Sequence, residues 1–115
     1  MKLESGMYAR TSGGSIFKLG YYNEKEKRWI SVEEYDWYPV YESSVVKASN
    51  NIIDLIEEGD YVNGYKVTHR TKSLLGFEDG QDGDWYLSNE NIKSIVTKEQ
   101  FESMSYKVKE WKRKI

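Results

Sequence analysis

Seven residues carry the binding chemistry this chain most readily offers. They are the rings of Trp29, Tyr35, Trp37 and Tyr38 and the cations Arg10, Lys66 and Arg70. Aromatic faces stack on nucleobases at roughly 1–3 kcal/mol per base or anchor protein interfaces. Arginine grips phosphate through two parallel N–H bonds. If the three cations converge near the rings, the expected ligand is a small nucleotide. Residues 29–41 hold five aromatics, Tyr41 included, interrupted by Glu33, Glu34 and Asp36. Burying every ring would bury carboxylates, which is costly, so Trp37 and Tyr38, beside the sole proline Pro39, are expected to be exposed. A plainer expectation competes. Aliphatic residues are sparse, so most rings belong to the core, and the cations lie on solvated strand faces.

No residue is assigned a catalytic role. There is one histidine, His69, and no cysteine. No serine, histidine or acid carries the local signature of a nucleophile and its base. The acids of residues 78–90 suggest calcium, but the spacing fails: counted from Glu78, position three is Gly80 and position twelve is Asn89. No metal or cofactor is therefore expected. The five acids and no Lys or Arg of this stretch suit a solvated turn, or a phosphate mimic facing a basic partner. Residues 98–115 carry six Lys/Arg against three Glu, so the tail is +3 and residues 1–97 carry −5 of the net −2. That balance makes nucleic acid an unlikely partner, since its binders present a basic face. There is no run of roughly 18 apolar residues that would cross a membrane, and the first residues have no leader-like apolar run.

The elements that must position these residues read as short strands. At 115 residues the chain is expected to be a single domain, 1–115. Residues 6–11 and 15–22 read as a hairpin across Ser12-Gly13-Gly14, and residues 29–33 as a third strand. In an extended stretch, Tyr35, Trp37, Pro39 and Tyr41 share one side, and Pro39 confines that stretch to an edge or loop. Residues 43–47 read as a short strand. Residues 52–67 (IIDLIEEGDYVNGYKV) read as a short helical turn near 50–58, a glycine stop and a tight hairpin on Asn63-Gly64, where both turn positions tolerate positive φ. Strand character continues to residue 72, is lost through the turn-rich 73–83, and returns at 84–88 and 91–97. Thr97 with Gln100 makes a capping box for a C-terminal helix. A rival reading ends that helix near residue 105 and makes 106–111 a strand. The expected fold is mainly β: a small antiparallel barrel, SH3-like, with that turn and helix added.

Three segments resemble a family of small uncharacterised proteins of bacteriophages and prophages of Gram-positive bacteria. They are residues 6–11 with 16–18, residues 54–67, and residues 92–102 with 106–108. The resemblance implies a phage-encoded accessory protein in the cytoplasm of an infected bacterium, and no catalytic residues. On it rests the expected function, a non-enzymatic protein that counters host antiviral defence by sequestering a nucleotide-derived immune signal. A homo-oligomer is expected, since so small a domain has physical reason to build its pocket between subunits. Two alternatives are an inhibitor directed at a host defence protein, as an anti-CRISPR protein is, and a virion or assembly role.

Overall fold

The computed structural model describes residues 2–33, 36–78 and 84–104, with the side chains of 32–33, 36–37, 78 and 84–85 outside that description. The described chain is mainly β and every strand pair is antiparallel. Three sheets form. The first contains β1 (Tyr8–Thr11), β2 (Ile16–Lys18) and β6 (Val45–Ser49), in the order β2-β1-β6. The second, β3-β4-β5, contains β3 (Tyr21–Asn23), β4 (Arg28–Glu33) and β5 (Asp36–Val40). The third, β10-β9-β8-β7-β11, contains β7 (Tyr61–Val62), β8 (Tyr65–Arg70), β9 (Leu74–Glu78), β10 (Asp84–Ser88) and β11 (Ile95–Val96). One α-helix, α1 (Lys98–Met104), follows.

None of these sheets closes into a barrel. One reason is local. The expected second strand, 15–22, is divided at Leu19-Gly20 into β2 and β3, which pair with different neighbours. Leu19 turns into the core with its N–H bonded to Met7 O (2.8 Å) and Gly20 N–H bonded to Ile30 O (2.9 Å).

The core lies in two clusters. Ile53, Ile56, Val62, Val67, Leu75 and Phe77 fill one, beneath the five-stranded sheet. Ala9, Leu19, Trp29 and Val40 fill the other, where the first two sheets meet. Aliphatic side chains therefore supply most of the described core, contrary to the expectation that rings would. Phe77 and Trp29 are the fully or nearly buried rings among the described residues, while Tyr21, Tyr22, Tyr38, Tyr41, Tyr65 and Tyr86 keep large exposed areas. The tyrosines sit near strand edges and turns, where the hydroxyl can stay wet while the ring covers apolar neighbours.

Three features of the 52–67 stretch form as read. Ile52–Leu55 is a 3₁₀ turn. Gly59 takes φ +97°. Asn63 (φ 53°) and Gly64 (φ 87°) make the tight turn between β7 and β8. The capping box also forms: Thr97 N–H donates to Gln100 Oε1 (3.1 Å), and Gln100 N–H to Thr97 Oγ1 (3.3 Å). The rival reading of the tail falls on residues 105–115, outside the described residues.

Candidate functional site: a ring-and-cation cleft

The Asn63 side chain does more than turn the chain. Its Oδ1 accepts from Lys93 N–H (2.7 Å) and Ser94 N–H (3.1 Å), and its Nδ2 donates to Asn91 O (2.9 Å). Residues 91–94 are thereby clamped as a wall beside β11, which pairs with β7. Opposite stands the β1–β2 hairpin, whose register places Tyr8 across from Lys18. Thr97 Oγ1 ties the two sides together by donating to Gly14 O (2.7 Å) at the tip of that hairpin.

Between them lies a cleft of about 270 Å³. Its apolar lining is Ile16, Ile52, Ile92 and Ile95, its rings are Tyr8 and Phe17, and its polar groups are Lys18, Lys93, Ser94 and Gln100. Lys18 Nζ stands 5.7 Å from the Tyr8 ring centre, a cation–π distance. None of these residues is a carboxylate. The volume falls just under the roughly 300–1,000 Å³ of typical ligand pockets. It suits one nucleoside-sized part of a ligand with an aromatic ring and negative charge.

Immediately beside the cleft the chemistry reverses. Arg10 shares a strand face with Tyr8, two residues or roughly 7 Å along β1, and is 1% exposed. Its guanidinium donates to Leu55 O (2.9 Å), to both carboxylate oxygens of Asp60, and to both of Glu99 (2.7 and 3.1 Å). Asp60, fully buried, also accepts from Glu57 N–H (2.7 Å) and Lys98 N–H (2.9 Å). Burial works against the Arg10 charge, but its bonds to Asp60 and Glu99 and the nearby Glu57 charge outweigh it and raise its pKa. Glu57 is bonded by Lys98 Nζ (2.6 Å) and Lys47 Nζ (3.0 Å). The Lys98 bond, opposed by burial and aided by Lys47 and Arg10, holds its carboxyl down at about 2.

The residues expected to form the site separate. Arg10 is enclosed in this ion cluster and does not converge with Lys66 and Arg70, which are exposed on β8. Nothing local to Arg10 announces this, because its carboxylates come from 50 and 89 residues away. Trp29 is a core residue, 8% exposed. Its Nε1 and the buried Ser31 Oγ on the same strand face have no hydrogen-bond partner among the described residues. Tyr38 is 42% exposed, as expected, and packs on the cleft residue Phe17 at 5.8 Å between ring centres. Tyr35 lies outside the described residues. So does the side chain of Trp37, whose backbone pairs with Val32.

None of the seven residues expected to bind lines the cleft, whose residues come from four separate stretches. The available signal was Lys18 flanked by Tyr8 and Phe17, and a capping Gln100 that also faces the cleft. His69 lies between Thr68 Oγ1 (3.0 Å from Nδ1) and Tyr86 Oη (3.3 Å from Nε2), on β8 and β10 rather than at the cleft. Among the described residues no group of three or more His, Asp or Glu is placed to hold a metal ion, and no helix is long and apolar enough to cross a membrane. No protein-family model, no curated protein and no solved structure matches the chain.

Proposed function

We propose that the protein is a non-catalytic binding protein that takes a small anionic, ring-bearing ligand of the nucleotide class into the cleft between the β1–β2 hairpin and residues 92–100. One observation carries this: two rings and two lysines line a single cleft that has no carboxylate among its described lining residues. A ring supplies a stacking face and a lysine a strong point charge for phosphate. In the phage setting that the resemblance implies, such a protein would sequester a nucleotide-derived immune signal and so blunt host defence. Two of the three segments of the resemblance, 6–11 with 16–18 and 92–102, supply all the cleft lining but Ile52. A cleft this small holds part of a dinucleotide, so a larger signal would be shared between two copies of the chain.

The test is a thermal-shift and calorimetry screen of the purified chain against 5′-mononucleotides, cyclic dinucleotides and cyclic ADP-ribose isomers. Ligand at a hundred times its Kd stabilises by about 2.7 kcal/mol, several degrees for a chain of this size. The K18E/K93E double variant should lose that shift while its own midpoint stays close to wild type, and the ligand should be recovered unaltered. Altered nucleotide would overturn the non-catalytic reading.

A second reading, an inhibitor that docks on a host protein, is favoured by the exposed Tyr21, Tyr38 and Tyr41 of the β3–β5 region, since tyrosines are common interface anchors. Absence of any nucleotide shift, with a host protein retained by the chain and released by substituting these tyrosines, would support it.

A further inference from the structure

We infer that Gln100 is a specificity-determining residue of the cleft, a fixed donor that reads an acceptor oxygen on the ligand. The inference rests on the binding reading above. Gln100 is half-buried and lines the cleft beside Lys18, Lys93 and Ser94. Its amide is not free to rotate. Oε1 accepts from Thr97 N–H at 3.1 Å, and a flipped amide would set its NH₂ against that N–H, donor against donor. Thr97 is itself fully buried and anchored through Oγ1 to Gly14 O at 2.7 Å, so the cap cannot shift to accommodate a flip. The capping box thereby assigns the other end of the amide. Nε2, with two N–H groups, has no hydrogen-bond partner among the described residues.

The residues around the rim of the cleft therefore carry donors that cannot accept, the Lys18 and Lys93 ammonium groups and the Gln100 Nε2, alongside the Tyr8 and Ser94 hydroxyls, which can do either. A ligand that satisfies this rim offers acceptor oxygens. In a nucleotide these are either phosphoryl oxygens or a base carbonyl, and the shared chemistry is the acceptor oxygen.

The helix cap supplies a clean variant. Glutamate serves the same capping position as glutamine, because a carboxylate oxygen accepts from the N-cap N–H equally well. Q100E thus keeps the cap while replacing the donor with a negatively charged acceptor. Calorimetry of the full chain against inorganic phosphate, UMP, GMP and uridine would compare wild type, Q100E and Q100A. We expect Q100E to hold its thermal midpoint and to lose tenfold or more in affinity, the scale of a lost hydrogen bond to a charged or buried group. Q100A should lose both midpoint and affinity. A loss for inorganic phosphate and both nucleotides that spares uridine places Gln100 at the phosphoryl oxygens, and a loss for both nucleotides and uridine that spares inorganic phosphate places it at the base carbonyl. Wild-type affinity in Q100E, with binding still abolished in K18E/K93E, would overturn the role of Gln100 and leave the cleft reading standing. No binding of any probe to the wild-type chain would overturn both.

Discussion

Two polar regions of this protein lie side by side on one face of β1, and they obey opposite rules. Around Arg10 both terminal nitrogens meet acceptors: they bond Leu55 O, Asp60 and Glu99, and the remaining capacity of Asp60 is filled by two backbone N–H groups. Around Tyr8, Lys18, Lys93 and Gln100 line an opening that has no carboxylate among its described lining residues. Both regions draw on the hairpin, the 52–67 stretch and the 92–100 stretch. Composition alone does not distinguish them; satisfaction does. A buried charge cluster that is complete within the protein holds the fold together and has nothing left for a ligand. Exposed cations lining a cleft with no described carboxylate beside them leave a place for an anion. Position also matters, since the complete cluster fixes the walls of that cleft.

Removing the centre of the satisfied region should have the largest effect. Arg10→Ala leaves Asp60 buried without its partner, and breaking a buried pair on one side costs about 3–5 kcal/mol. Urea unfolding would measure it. The contrast with the cleft fails if R10A costs no more than K18E/K93E. The next effect is expected at Gly14, which adopts φ +90° and sits where a Cβ would come within 2.3 Å of Thr97 Oγ1 and 2.8 Å of Glu99 Cβ. Gly14→Ala carries backbone strain of about 1–3 kcal/mol and pushes the helix start off the hairpin. It should therefore weaken stability and ligand binding together, whereas Q100E separates them. The smallest effect concerns acid. The Glu57 carboxyl titrates near 2 when folded, against an ordinary 4.5. Its contribution is therefore complete above about 4.5 and fades as pH falls from there toward 2. Glu57 is partly exposed, so the loss is on the order of 1 kcal/mol or less. Thermal midpoints across that interval should fall less steeply in E57Q than in wild type.

Much of the local architecture was legible because it is written within a few residues. Asn63-Gly64 dictates its turn, Thr97 with Gln100 its cap, and the 8–11 and 84–88 runs their strands. The failures are equally physical. Residues 73–83 read as turn because of their glycines, yet Leu74–Glu78 is a central strand of the five-stranded sheet. Gly76 sits there because the His69 ring occupies the space of a side chain, 2.2 Å from where its Cβ would stand. Arg10 read as a surface cation because its partners are remote in sequence. Asp60 and Glu99 become visible as partners only once the strands have brought them together. The cleft was hidden for the same reason. Its rings, Tyr8 and Phe17, read as strand residues, and the denser aromatic run at 29–41 lies elsewhere: Trp29 is core and Tyr38 packs on Phe17.

The span of the Arg10 cluster has a consequence for how the chain matures. Its bonds join residues 10, 55, 60 and 99, so its longest closure encloses most of the polypeptide. Contacts of such separation are slow to form, because the entropy of closing the loop is lost before the contact returns any stability. A chain emerging from the ribosome N-terminus first can pair β1 with β2 and turn the Asn63-Gly64 hairpin early. It cannot finish neutralising Arg10 until Glu99 has been made, and until then it carries a half-satisfied cation beside unfilled strand edges. The same step that seats residues 97–100 on the hairpin completes the cleft, so a nascent chain gains that cleft only at the moment its fold is locked.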